Sequence, residues 1–134
     1  MAVASSLTLL SACSDSVSPA DQALDGPWST GHTISGLEMA LTLTWTRDRV
    51  TGTGSMNALP APAHCGNTVV EGLTTVTLTA DRPSSTEIHG TLTLEGGTGI
   101  AYQGSLNGDN HIDGALVAAD GTQCAMTLFK GLVP

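Results

Sequence analysis

The sequence predicts an all-β protein: a single antiparallel, up-and-down meander of about eight strands that closes, or nearly closes, into a barrel. The pattern apolar-x-Gly-x-Leu occurs three times, at Ile88–Leu92, Tyr102–Leu106 and Ile112–Leu116. Alternation with a period of two is typical of strands, and it places each apolar set on one buried face. Turn-forming residues separate the repeats, and no segment of useful length has a helical period. A sheet of this size usually removes its exposed edges by closing on itself.

Glycines on the inward face are the second notable feature of the pattern. Gly52, Gly90, Gly104 and Gly114 each lie between apolar residues of the same predicted face. Such glycines allow a sheet to coil tightly or another backbone to approach closely. They would equally leave space for a ligand inside the barrel. The sequence leaves both interpretations open.

The first half of the predicted barrel begins at Gly26-Pro-Trp28 and contains the most regular strand of the chain. Leu37–Trp45 carries a large apolar residue at every odd position and Glu, Ala or Thr at every even one. This is the pattern of an antiparallel strand with one buried face. A charged turn at 46–49 and a returning strand at 50–56 complete a hairpin.

The segment 57–67 is the longest irregular stretch of the sequence. Because loops on a rigid scaffold often carry function, we take it as the candidate functional loop. Its distinctive residues are Leu59, Pro60, Pro62 and His64. Beyond it we expect strands at 68–71 and 73–80, a turn at 81–86, the three repeats, a turn at 119–121 and a closing strand at 122–130.

The charge of the chain is strongly unbalanced. Its 134 residues include 12 acidic and 4 basic side chains, and the formal net charge is −8. Binding to nucleic acid and electrostatic docking on anionic lipid both need clusters of Lys and Arg, so the composition excludes both classes. The length fits one domain with one modest core.

A short motif near the N-terminus predicts a membrane anchor. Leu10-Ser11-Ala12-Cys13 follows the apolar run 3–10 and precedes a segment rich in Ser and Asp. It resembles the lipobox of bacterial lipoproteins, in which a signal peptide is cut before an acylated cysteine. The resemblance implies that residues 1–12 are a signal-peptide remnant and that Cys13 carries acyl chains such as palmitate. No Lys or Arg precedes the run, a departure from the family pattern, and we expect the true start to lie upstream.

The same resemblance implies a location and a domain organisation. Residues 13–24 would form the lipidated cysteine and a flexible tether, and residues 25–134 the barrel domain. In the enteric sorting rule of this family, Asp after the cysteine retains the protein in the inner membrane. Ser14 stands at that position and implies the outer membrane. The predicted location is therefore the bacterial cell envelope, with the membrane as a partner through the lipid anchor.

Cys65 and Cys124 remain once Cys13 carries lipid. An even number of cysteines in an oxidising compartment predicts a disulfide, in preference to two buried thiols. Closing so long a loop would stabilise the fold by roughly 3–5 kcal/mol in the chain-entropy model.

The two ends of the predicted barrel sequence carry a second resemblance. Gly26-x-Trp28 opens the first strand, and Lys130, the only lysine, lies near the end of the last. These residues resemble the calycin barrels, the lipocalin and avidin families, in which a basic residue of the last strand packs over the first-strand indole. The resemblance implies that Trp28 and Lys130 close one end of the barrel through a cation–π contact worth about 0.5–2 kcal/mol. With only four aromatic residues in the chain, biotin and stacked sugars are disfavoured ligands.

No motif in the sequence predicts catalysis, a cofactor or a metal. His32, His64, His89 and His111 lack the spacing of zinc ligands. The segment 109–113 has a faint likeness to a calcium loop, but it places a histidine where an oxygen ligand belongs, and a hairpin turn is favoured. We therefore expect no cofactor and no enzymatic activity.

Three functions are compatible with these observations. The favoured one is an envelope-anchored interaction or structural domain with a filled interior, whose partner is another envelope protein. The second is a barrel that binds a small apolar ligand, and an interior void of a few hundred cubic ångströms would favour it. The third is an inhibitor of a secreted enzyme that acts through loops such as 57–67.

Overall fold

The computed structural model describes residues 18–31 and 36–131. The predicted lipidation site Cys13, the signal-peptide remnant and His32 lie outside these residues. The described residues form one short helix, α1 (Pro19–Gln22), and eleven strands. The strands are β1 (Gly26–Ser29), β2 (Gly36–Trp45), β3 (Arg49–Leu59), β4 (Ala63–Cys65), β5 (Thr68–Val70), β6 (Leu73–Asp81), β7 (Glu87–Leu94), β8 (Gly99–Asn107), β9 (His111–Val117), β10 (Gln123–Ala125) and β11 (Leu128–Lys130).

Eight strands close an antiparallel barrel, which confirms the predicted fold class. Their order around the wall is β1-β2-β3-β6-β7-β8-β9-β11, and β11 pairs with β1 to complete the circle. The strands β10 and β11 pair with the same side of β9 in one continuous register, because Cys124 faces Leu116 and Leu128 faces Ile112. The predicted closing strand 122–130 is therefore present as two short strands separated by residues 126 and 127.

The segment 57–67 is more regular than the sequence indicates. Residues 57 to 59 continue β3, since Ala58 pairs with Leu37 on one side and Asn57 pairs with Leu73 on the other. Residues 63–70 form the hairpin β4–β5. The irregular part is thus only 60–62, where two prolines cannot donate to a ladder and the strand ends.

The helix α1 lies within the segment predicted to be a flexible tether. Ser18 caps its N-terminus, because the Ser18 hydroxyl accepts a hydrogen bond from Asp21 N at 3.1 Å. Pro19 occupies the first turn, where its missing N–H costs nothing. Four residues carry too little periodicity to predict a helix, so sequence reasoning missed it.

The interior of the barrel is filled by side chains. One cluster of buried residues runs through it, and the largest members are fully buried. They are Trp28, Trp45, Tyr102, Met39, Leu43, Met56, Leu78, Ile88, Leu92, Ile112, Leu116 and Met126. Leu106, the last residue of the second repeat, is only partly buried.

The inward glycines admit neighbouring strands and side chains into this core. A Cβ on Gly54 would overlap Ala40 O and lie 2.9 Å from Leu41 Cα, and one on Gly90 would overlap the backbone of β6. A Cβ on Gly114 would overlap the Tyr102 ring. The space that these glycines leave is therefore already occupied. Of the two interpretations of the glycine pattern, the geometry favours tight coiling around a filled core.

Candidate functional site

The two ends of the barrel are built differently, and we call them the proximal and the distal end. The proximal end contains α1, the turn between β2 and β3, which follows Trp45, and the turn between β6 and β7, which begins with Arg82. The distal end contains the β4–β5 hairpin and the turn between β9 and β10. The chain enters the described structure beside the proximal end, because Asp21 of α1 contacts Arg82 and Asp25 accepts a hydrogen bond from Trp45 N at 2.7 Å.

Arg82 organises the proximal end. Its guanidinium carbon lies 5.1 Å from the centroid of the Trp45 ring, and its Nη1 donates to Asp21 Oδ1 at 2.8 Å. It also donates to the carbonyl oxygens of Thr46 and Ser85, at 2.6 and 2.9 Å. The Arg82 and Asp21 side chains are only 5% and 13% exposed, so this ion pair is partly desolvated. Hydrogen bonding from Arg82 lowers the pKa of Asp21 below its ordinary value.

The predicted pair of Trp28 and Lys130 lies on adjacent strands. The two residues face each other directly in the register of β1 and β11, and Lys130 Nζ lies close to Gly26. Arg82, from the turn after β6, places its guanidinium over the ring of Trp45. Trp28 packs against Trp45 with ring centroids 5.8 Å apart, and its Nε1 donates to Leu24 O at 2.8 Å.

A disulfide between Cys65 and Cys124 fixes the distal end, as predicted. It joins β4 to β10 with a Cα–Cα distance of 6.0 Å. Gly66 packs against the β9–β10 turn, since a Cβ there would overlap Asp120. Asp120 in turn accepts a hydrogen bond from Thr122 N at 3.0 Å, and this bond lowers the pKa of the carboxyl. The hairpin is therefore clamped to the barrel rather than free to open.

The residues of the candidate loop all lie at this distal end. Leu59 is half-buried at the end of β3, and Pro60 and Pro62 are exposed in the three-residue connection. His64 is exposed on β4, directly opposite Val69 of β5. The structure thus places the four predicted residues at the distal end: Leu59 on β3, the two prolines on a short connection, and His64 on the disulfide-bonded hairpin.

A groove of about 260 Å³ with a mixed apolar and polar lining lies beside the hairpin, and no sequence pattern predicted it. Val69 and Leu73 line it and are 41% and 74% exposed, and Leu94 also contributes to its lining. Glu71 and Glu95 supply its charge. One signal was available in the sequence: Leu73 is out of phase with the inward residues of β6, so it had to point outward.

A second, polar groove of about 400 Å³ lies on the outer wall of β7, β8 and β9. Its lining includes Glu87, His89 and Asp113. Asp113 accepts a hydrogen bond from Asn107 Nδ2 at 2.9 Å and lies 3.6 Å from His111 Nε2, so its carboxylate is already engaged. No three His, Cys, Asp or Glu side chains among the described residues are grouped to hold a metal ion.

Comparison of the chain with protein-family models, with curated proteins and with solved structures gave no match. In the part of the chain that the structure describes, no helix has the length and apolar character needed to cross a membrane.

Proposed function

We propose that this protein is an envelope-anchored lipoprotein whose β-barrel is an interaction or structural domain. The observation that carries the proposal is the opposite placement of two features. The helix α1, which follows Cys13 in the sequence, contacts the proximal end, whereas the groove with exposed Val69 and Leu73 and the disulfide-bonded hairpin lie at the distal end. An acyl anchor at Cys13 would leave the distal end pointing away from the membrane.

The filled interior favours this role over the alternative of a small apolar ligand inside the barrel. Such a ligand needs a cavity of a few hundred cubic ångströms. The inward glycines Gly54, Gly90 and Gly114 provide no such space, because neighbouring backbone or the Tyr102 ring occupies it. The Cys65–Cys124 disulfide supports an oxidising compartment such as the periplasm.

The distal groove has the chemistry of a protein contact. Its exposed Val69 and Leu73 would be desolvated by an apolar side chain of a partner, and Glu71 and Glu95 would favour a partner with basic residues at its rim. An envelope protein or a secreted enzyme is compatible with this chemistry.

Two measurements on cells that make the full chain test this proposal. Membrane fractionation is expected to recover the protein with the envelope and to release the Cys13→Ala variant. A photo-crosslinking residue in place of Leu73 is expected to capture a specific envelope protein, and the same residue in place of Ser85, an exposed position at the proximal end, is the matched control. Equal fractionation of the two chains would refute the anchor, and adducts that do not differ between the two positions would refute the distal contact.

A further inference from the structure

The outer wall of the barrel carries a regular array of threonines. Strands β2, β3, β6 and β7 are consecutive neighbours, and two outward threonines of each strand align in register; β6 carries a third, Thr75. The eight residues form two rows, Thr44–Thr51–Thr79–Thr91 and Thr42–Thr53–Thr77–Thr93, and all are exposed. We call this set the threonine array.

Sheet geometry sets the spacing of the array. Neighbouring threonines lie about 4.8 Å apart across the strands and about 6.8 Å apart along each strand. One row of four therefore spans about 14 Å of the wall. Each position presents one hydroxyl group, which both donates and accepts a hydrogen bond, and one methyl group.

Intrinsic strand propensity alone does not explain the array. Threonine is favoured in strands generally, and the same preference would apply to the remaining wall. Yet the outward positions of β8 carry Ala101, Gln103 and Ser105, and those of β9 include Asp113 and Ala115. Among the described strands of the barrel wall, the outward threonines lie on these four adjacent strands.

The array is also a neutral surface on a chain whose net charge is −8. One step beyond the first row, Arg49 and Asp81 face each other with 3.8 Å between Nη2 and Oδ1. One step beyond the second row, the exposed Glu95 follows the end of β7. Beyond the second row, the next outward pair is Ser55 and Thr75. The eight threonines are themselves uncharged, and the charges at the edges of the array are of both signs, so the surface fits a neutral molecule with repeated hydroxyl groups.

We propose that the threonine array binds a neutral, extended β-1,4-linked glycan chain. Along such a chain, successive sugars follow one another at close to the spacing of neighbouring strands, so one row can offer a hydroxyl and a methyl group to each sugar. Sugar hydroxyls match the hydrogen bonding of the threonines, and the C–H faces of the rings match their methyl groups. A single chain can follow the curved wall, whereas a flat crystal surface could touch only part of it. The inference goes beyond the proposed protein contact at the distal groove, because it concerns a different surface, and it does not depend on the anchor.

Retention of the full chain on insoluble chitin and on cellulose tests this inference. We expect retention on at least one of them, with release by the corresponding soluble oligosaccharide. The double variant Thr53→Val/Thr77→Val keeps the shape of the array and removes two central hydroxyls, so we expect its affinity to fall by at least about tenfold. Thr98→Val, at an exposed turn outside the array, is the matched control and should bind as the unchanged protein does. Circular dichroism confirms that each variant is folded.

Three results would overturn the inference. They are absence of retention on both polysaccharides, undiminished retention of the double variant, and an equal loss in the Thr98→Val control. If the protein is not retained on polysaccharide but self-associates, and the double variant does not self-associate, the array would instead be a contact between copies of the chain. Because retention is measured on purified protein, it is independent of Cys13: a chain that binds glycan but lacks acyl groups would support this inference and refute the anchor.

Discussion

Substitution of single glycines by alanine tests whether the inner glycines serve close strand packing. Gly54→Ala is the most demanding change, because its new methyl group would overlap Ala40 O and lie 2.9 Å from Leu41 Cα. Gly72→Ala is the matched control. Gly72 does not need a positive φ, and among the described residues a Cβ there meets nothing within 4 Å.

The expected magnitude follows from this geometry. Relief of the overlap requires β2 to move from β3 by on the order of 1 Å, which lengthens ladder hydrogen bonds beyond their effective range. Overpacking costs about 1–3 kcal/mol and each weakened hydrogen bond about 1 kcal/mol, so the free energy of unfolding should fall by about 3–5 kcal/mol. In a domain of this size that loss lowers Tm by about 12–20 °C. Gly72→Ala should instead be neutral or raise the free energy of unfolding by about 0.4–1 kcal/mol, since it restricts the unfolded chain.

Urea unfolding followed by far-UV circular dichroism measures both variants. Gly99→Ala provides an intermediate point, because its methyl group would meet the end of the Thr91 side chain at 3.3 Å and Leu92 O at an ordinary contact distance of 3.9 Å. The expected order of stability is Gly72→Ala, then Gly99→Ala, then Gly54→Ala. If Gly54→Ala is as stable as Gly72→Ala, the strands have room between them and the argument for a tightly coiled, filled barrel is wrong.

Three further predictions concern single contacts. Reduction of the Cys65–Cys124 disulfide releases a constraint across 59 residues. Calorimetry with and without reductant should find that reduction lowers the free energy of unfolding by about 4 kcal/mol and Tm by about 15 °C. A shift in Tm below a few degrees would contradict the chain-entropy argument. Arg82→Ala removes the partner of a partly desolvated carboxylate and two hydrogen bonds to carbonyls, and should cost about 3–5 kcal/mol in chemical unfolding. Because Arg82 lowers the folded-state pKa of Asp21, the stability from this pair is present above about pH 4 and lost below it, and acid titration of Arg82→Ala should lack that step. Burial raises the pKa of Tyr102, so the free energy of unfolding should fall as pH rises above about 10. Tyr102→Phe should remove this alkaline loss, at a cost of about 1–2 kcal/mol because the carbonyl of Met126 loses its hydrogen bond. If the variant loses stability at alkaline pH as the unchanged protein does, the assignment to Tyr102 is wrong.

The fold was predictable because its signal repeats along the chain. Period-two alternation in Leu37–Trp45 and in the three glycine repeats fixes which face of each strand is buried, and turns between them fix the antiparallel order. The pairing of Cys65 with Cys124 followed from counting cysteines. The barrel closure followed from the need to remove sheet edges.

The missed features depend on contacts that no local pattern encodes. Arg82 stacks on Trp45 across 37 positions of sequence, and nothing near Arg82 distinguishes it from the other arginines of the turns. The β4–β5 hairpin was not predicted, because two prolines and a histidine suggest a loop. Its two strands have three residues each, which is too short to show alternation, and the disulfide of Cys65 holds them in place. The threonine array was visible strand by strand, but only the register between strands shows that the threonines align.

Lipid anchoring of a disulfide-bonded barrel is tested by the intact mass of the protein isolated from the membrane fraction of its own cells. The sample is measured with and without reductant and alkylation. We expect the mass of a chain that begins at Cys13 and carries acyl groups. Without reductant, this mass should be lower than that of the reduced form by two hydrogens. An unprocessed chain with three alkylatable thiols would contradict the anchor, the compartment and the disulfide together.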